Sequence, residues 1–128
     1  MAFLKPANLR LLQGVVPAEA VTDAVVGHAR QDMKIFYIDI MVPDVNASYT
    51  SGTVLLDYDD GASGADTAID TITLTSPALS ANVTLDDLTL TTGIVPAGSR
   101  ILATVATLAG VSENFIVINI WYVALDDE

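Results

Sequence analysis

Strand-like segments follow one another from residue 34 onward, and their spacing constrains the fold more than any other feature. Six β-rich segments recur roughly every ten residues, with Pro, Gly, Asn and Asp concentrated between them. Short strands at this spacing, with no convincing helix among them, are typical of an antiparallel sandwich or barrel. We therefore predict an all-β fold, an antiparallel β-sandwich. The segments are 34–43, 50–60, 67–76, 82–90, 99–108 and 114–125.

Two of these segments are apolar on both faces. FIVINIWYVAL (115–125) has Asn119 as its only polar residue, and IFYIDIMV (35–42) has only Asp39. A strand with one face in water should alternate apolar and polar residues, so the second face of each segment needs a cover. A neighbouring subunit or a host surface is the favoured cover, and the chain's own N-terminal segment is the alternative. Strict alternation groups Phe36, Ile38, Ile40 and Val42 against Ile35, Tyr37 and Met41.

The first 32 residues differ from the rest and are interpreted as an N-terminal arm that anchors the protein or contacts another subunit. Residues 1–34 carry four basic and three acidic residues, whereas residues 35–128 carry Arg100 alone against thirteen acids. Such asymmetry suggests that the two parts face different surroundings. Residues 17–31 are compatible with a helix, with a strand at 21–26 as the alternative. The sandwich would then occupy 33–128 and end in a short acidic tail.

Composition excludes several functions. At 128 residues the chain has the length of one domain, and its 52% hydrophobic content supplies ample material for a core. A net charge of −11 argues against nucleic-acid binding and against an anionic membrane surface as partners. No apolar run is long enough for a transmembrane helix. Cys is absent, which removes disulfides, thiolate metal sites and Cys nucleophiles.

The most acidic stretch is DYDDGASGAD, from Asp57 to Asp66, and it admits two interpretations. Its carboxylates could supply calcium ligands, but their spacing does not match the helix–loop–helix calcium pattern. The dipeptide Asp60-Gly61 is a strong turn signal between two strands. We favour a solvated hairpin turn and predict no metal-binding residues and no cofactor.

Catalytic residues are not predicted either. The Asp86-Asp87 pair lies in a strand, where neighbouring side chains point to opposite faces. His28 is the only histidine and lies in the arm, apart from any recognisable nucleophile. The chain is therefore predicted not to be an enzyme. A sugar-binding module remains an alternative, with Tyr49 and Tyr58 as the plausible aromatic platforms.

Residues 33–125 resemble the small jelly-roll proteins of tailed-bacteriophage virions that decorate or cement capsids. The resemblance rests on LTLTTGIVPAGSRILATV, on the Asp/Gly-rich hairpin TSGTVLLDYDDGASGAD, and on FIVINIWYVAL followed by an acidic tail. Phage spike and fibre modules have the same β-rich sequence pattern. The resemblance implies a jelly-roll sandwich that forms trimers, with an N-terminal arm reaching a neighbour or the shell.

From this resemblance we expect a non-enzymatic protein of the virion surface, assembled in the host cytoplasm. Its partners would be other copies of itself and the major capsid protein or another virion protein. A carbohydrate- or receptor-binding module of a phage spike is the alternative. Deletion of residues 1–30 is expected to abolish attachment to the shell and to leave a folded body. A binding assay with the truncated chain measures the attachment.

Overall fold

The computed structural model describes residues 8–44, 51–62, 66–75, 81–87, 94–106, 110–111 and 115–125. These residues form nine β-strands and contain no α-helix. No helix in these ranges could therefore serve as a membrane span. The strands are β1 (Arg10–Pro17), β2 (Val21–His28), β3 (Met33–Asp44), β4 (Ser51–Asp59), β5 (Thr67–Thr75), β6 (Ala81–Asp87), β7 (Ile94–Val95), β8 (Arg100–Ala106) and β9 (Phe115–Ala124).

The strands build two antiparallel sheets that confirm the predicted β-sandwich. Sheet A has the order β1-β9-β3-β6, with the short β7 paired to β3, and sheet B has the order β2-β8-β4-β5. The pairing is nested: β1 pairs with β9, β2 with β8, β3 with β6, and β4 with β5. Nested antiparallel pairing across two sheets is the arrangement of a jelly roll. Each of the six segments predicted from residue 34 onward contains a strand in its described part.

Branched aliphatic side chains fill the space between the sheets. β9 sends Ile116, Ile118 and Ile120 inward, and each is fully buried. Sheet B contributes inward-facing residues such as Leu56 and Ile101, which are also fully buried. Val and Ile favour extended backbone because their branched Cβ fits a pleated, half-buried surface. The period-two pattern of these residues therefore both forms the strands and supplies the core.

A bulge in β3 corrects the faces predicted for that strand. Its register with β9 shifts between Ile35 and Tyr37, so Phe36 is the extra residue. Ile35 is consequently buried on the same side as Ile38 and Ile40, although strict alternation would put it on the other face. The extra residue reverses the alternation at that point.

The described part of the predicted arm belongs to the sandwich. β1 is an edge strand of sheet A and β2 an edge strand of sheet B. Val16 and Val26 contribute to the core. The helix considered for residues 17–31 is wrong, and the alternative strand at 21–26 is confirmed. Removing residues 1–30 would delete one strand from each sheet, and we therefore expect the truncated chain not to fold. Residues 1–7 of the predicted arm lie outside the described ranges.

Two glycines bring β1 and β2 together where the sheets meet. A Cβ atom added at Gly14 would lie 2.5 Å from the carbonyl oxygen of Val26, a distance that real Cβ atoms do not adopt. A Cβ atom added at Gly27 would lie 2.9 Å from Cδ1 of Leu12, which is the movable end of a side chain. Position 14 therefore requires glycine, because the backbone of Val26 leaves no space for a side chain. At position 27 the nearest atom belongs to the side chain of Leu12, which can move.

We expect Gly14→Ala to lower the free energy of unfolding by about 3 kcal/mol, because the new methyl group forces the backbones of β1 and β2 apart. Gly27→Ala is the matched control and should cost only about 1 kcal/mol, since Leu12 can change rotamer. Urea unfolding of both variants measures the difference. Equal losses of stability in the two variants would contradict the conclusion that the backbone of Val26 requires glycine at position 14.

Candidate functional site

The predicted turn in the acidic stretch is present. Gly61 has φ +85°, a left-handed backbone angle that glycine adopts without cost. Asp59 and Asp60 cap the turn, since Oδ1 of each accepts the backbone N–H two residues further on, from Gly61 at 2.8 Å and Ala62 at 2.9 Å. These two acids therefore act locally in the loop, as the turn interpretation predicts. Residues 63–65 lie outside the described ranges.

Asp59 also forms an ion pair across sheet B. Nη2 of Arg100 donates to Oδ2 of Asp59, and the two residues are register partners on β8 and β4. The hydrogen bond from Arg100 is the main reason that the pKa of Asp59 lies below its usual value. The pair is solvent-exposed, so it contributes little to the free energy of unfolding.

The two outer acids of the stretch meet a third acid from β2. Carboxylate oxygens of Asp23, Asp57 and Asp66 all lie within 4.8 Å of one another; we call these three residues the acidic cluster. Asp23 reaches this position through a bulge in β2 and a left-handed backbone, φ 56°. Thr104 on β8 holds it there, because its Oγ1 accepts the backbone N–H of Asp23 at 3.2 Å. The cluster thus bridges β2, β4 and the segment that leads into β5.

The environment of Asp57 opposes its ionisation. Oδ1 of Asp57 is shielded from solvent and has no hydrogen-bond partner, while the side chain as a whole is half-buried. Burial, followed by repulsion from Asp66 and Asp23, raises the pKa of Asp57 to about 6. Three carboxylates this close can share a proton or surround a cation. The cluster alone supplies fewer oxygen ligands than calcium usually takes.

The remaining candidate residues do not assemble into a catalytic site within the described ranges. His28 is exposed at the end of β2 and is the register partner of Arg100, so it faces a cation. The backbones of Asp86 and Asp87 pair with Asp39 and Ile38 of β3, but their side chains fall outside the described part of the structure.

The predicted sugar platforms are also not assembled among the described residues. Tyr58 is half-buried and packs against the core, and Tyr49 lies outside the described ranges. An aromatic pair does occur on sheet A, where the rings of Tyr37 and Trp121 stack with centroids 5.9 Å apart. The pair lies on the side of the sheet that faces away from the core.

The outer face of sheet A, formed by β1, β9 and β3, is largely apolar. The strand registers place its residues in rows. Leu11, Trp121 and Tyr37 form one apolar row, and Val15, Val117 and Met41 form a second. Between them runs a polar row in which Nε2 of Gln13 donates to Oδ1 of Asn119 at 2.8 Å, beside Asp39.

Several of these side chains are strongly exposed. Leu11 is 43% exposed, Val15 61% and Phe115 37%, and all three lie on β1 or at the start of β9. Within the segment 115–125, for which apolarity on both faces was predicted, Phe115 is the exposed large apolar residue, whereas Asn119 and Val123 are each 7% exposed. The more exposed apolar residues of this face, Leu11 and Val15, lie on β1. Sequence reasoning found the parts of this surface that lie on β9 and β3, because each of these strands is one continuous apolar segment. It missed the part on β1.

The acidic cluster was only half visible in the sequence. Asp57 and Asp66 belong to the stretch that composition singles out, whereas Asp23 lies in the segment interpreted as an arm. Its approach depends on the pairing of β2 with β8 and of β8 with β4. No local pattern around Asp23 carries that information.

Comparison with known proteins leaves the chain without relatives. No protein-family model, no curated protein sequence and no solved structure matches it at a significant level.

Ionisation of Asp57 should make stability depend on pH. Between about pH 4 and pH 6 the folded protein keeps a proton on Asp57 that the unfolded chain releases, so the free energy of unfolding falls as pH rises through this window. We expect Asp57→Asn to abolish that fall and to stabilise the protein at pH 7 by about 1 kcal/mol, a value reduced by the partial exposure of the group. Thermal unfolding from pH 4 to pH 8 measures both effects.

Asp60→Asn is the control for this experiment, because it removes an acid of the same loop outside the cluster. Its pH profile should run parallel to that of the wild type. A parallel profile for Asp57→Asn would contradict the assignment. The same thermal unfolding series in calcium and then in chelator shows whether the acidic cluster binds a proton or a metal ion. A rise in the unfolding midpoint that requires calcium and that Asp57→Asn abolishes would mean that the cluster binds a metal ion.

Proposed function

We propose that this protein is a non-enzymatic structural protein that self-associates through the outer face of sheet A and decorates the surface of a tailed-phage capsid. The observation that carries the proposal is the set of exposed apolar side chains on that face: Leu11 and Val15 in the two apolar rows, and Phe115 at the start of β9. Apolar side chains concentrated on one sheet face are typical of a surface that another protein covers.

The charge of the chain favours association through this face rather than elsewhere. With a net charge of −11, two copies repel each other wherever their acids meet. The apolar rows carry no charge, so contact there avoids the repulsion while it removes apolar area from water. The polar row between them offers amide groups at Gln13 and Asn119 that can fix the register of a contact.

The phage assignment extends this argument by resemblance. The jelly-roll topology agrees with the architecture that the resemblance implies, and a trimer would be the corresponding assembly. The resemblance also implies attachment to the major capsid protein or another virion protein at the virion surface. Anchoring by a separate N-terminal arm receives no support from residues 10–28, which pair within the chain's own sheets.

A carbohydrate- or receptor-binding role in a phage spike is the second candidate. It is supported by the stacked rings of Tyr37 and Trp121 on the same outer face, since sugars commonly stack on aromatic surfaces. A glycan screen with Trp121→Ala as its control separates the two roles. Glycan binding that is lost in the variant would favour the second candidate.

Val15→Asp should convert the assembly to monomer, because it places a charge within an apolar row of the proposed interface. Val25→Asp is the matched control, since Val25 is also an exposed edge-strand valine, at 47%, but belongs to sheet B. Sedimentation equilibrium at several concentrations should give an oligomer for the wild type and for Val25→Asp, and a monomer for Val15→Asp. A monomeric wild type would overturn the proposal.

The virion assignment has a separate test. Mass spectrometry of purified phage particles from the source of this sequence should find the chain in an amount comparable to that of the capsid subunit. Its presence only in lysate, with none on particles, would refute decoration and would leave self-association to be judged by the sedimentation result.

A further inference from the structure

A cavity of about 180 Å³ opens where β1 begins and β2 ends, and its lining is unusually basic for this chain. Among the described residues, Arg10, His28 and Arg30 contribute to the lining and no carboxylate does. The whole chain has only five Lys and Arg residues, and two of them meet here. We propose that this cavity binds an oxyanion, a carboxylate or a phosphate group, carried by a ligand with an apolar body.

The positive groups are positioned by the backbone on both sides of the cavity. Ala29 N–H donates to Ser99 O at 2.9 Å and Gly98 N–H donates to Ala29 O at 2.7 Å. On the other side of Arg30, Leu125 N–H donates to Asp32 O at 2.9 Å. The turn that carries Arg30 is therefore held at both ends, which reduces the entropy lost when a ligand binds.

Arg10 enters the cavity from the other sheet. Its Nη1 donates to Oε1 of Gln31 at 3.2 Å, which ties β1 to the same turn. Arg10 thus places a guanidinium group, whose five donors form a planar fork, in the wall of the cavity. Two guanidinium groups beside one cavity match the oxygen geometry of carboxylate and phosphate.

The acid nearest to Arg30 in the sequence is Asp32, which does not line this cavity but lines a neighbouring hollow together with Arg30 and Gln31. In that hollow Oδ1 of Asp32 accepts the backbone N–H of Ala97 at 2.8 Å. Among the described residues no carboxylate forms an ion pair with Arg30. An anion at this position would replace water around an arginine for which the described residues supply no counter-ion.

The rest of the lining explains the apolar body of the ligand. Leu12 and Tyr122 are half-buried in the wall, and Met33 is almost fully buried at 2% exposure. An apolar cavity of about 150 Å³ accommodates a benzene-sized ring, so the volume suffices for a ring with its anionic group at the basic rim. An aryl carboxylate or aryl phosphate has this combination of groups.

The test is a titration of the full chain, followed by NMR of its backbone amides, with phenyl phosphate, benzoate, inorganic phosphate and phenol. Phenyl phosphate or benzoate should shift the amides of residues 10–12 and 28–33 and should bind more tightly than inorganic phosphate or phenol. The tighter of the two aryl anions identifies which oxyanion the cavity prefers. The absence of shifts in these amides with both aryl anions would overturn the proposal.

Two variants with the same loss of charge make the test specific. Arg30→Gln should weaken binding about tenfold, the loss expected for one charge-assisted hydrogen bond. Lys34→Gln removes a cation on β3 that does not line the cavity and should stay within about twofold of the wild type. Equal weakening in both variants would show only a general attraction of anions to this end of the molecule and would refute the site.

This outcome is independent of the assembly proposal. Val15 does not line the cavity, so a monomeric Val15→Asp variant should bind the aryl anion as the wild type does. Loss of self-association and loss of anion binding are therefore separate results.

Discussion

The burial of β9 between β1 and β3 is the interaction on which the rest of this structure depends. Ile116, Ile118 and Ile120 fill the centre of the core from its inner side and are fully buried. Its outer side carries the central residues of the apolar rows proposed for self-association. One strand thus supplies both the cohesion of the single chain and the surface by which several chains would join.

Charge divides this molecule into regions with different roles. Acids gather on sheet B, where β2, β4 and the loop before β5 bring Asp23, Asp57 and Asp66 together. Two of the few cations gather around the cavity at the start of β1. The outer face of sheet A differs from both regions because it carries little charge. Repulsion within a chain of net charge −11 is tolerable because its apolar core is large and because Asp70 is the only acid that is buried among the described side chains.

The parts of this fold that follow from local sequence could be predicted, and the parts that follow from long-range pairing could not. Alternating Val, Ile and Thr with turn residues between them was sufficient to place the six strands after residue 34. The strand nature of residues 10–28 was obscured because Gly14, Gly27 and Pro17 weaken any strand pattern, and the reason for Gly14 is a neighbour on β2 that the sequence does not reveal. The bulge at Phe36 was hidden for a similar reason, since only the pairing with β9 shows which residue is extra. The acidic cluster and the basic cavity each join residues from separate strands, so neither has a local signature.

The nested pairing also determines when this protein can fold. Among the described strands β1 is synthesised first and its partner β9 last, and β2 must wait almost as long for β8. Until residue 124 has emerged, sheet A lacks its second strand and the core lacks three of its isoleucines. The nascent chain therefore spends its synthesis with apolar β-strands unpaired, and contacts of such long sequence separation form slowly. Rapid completion of the chain, or a chaperone that shields β3 and β4 meanwhile, would decide how much of it reaches the native state.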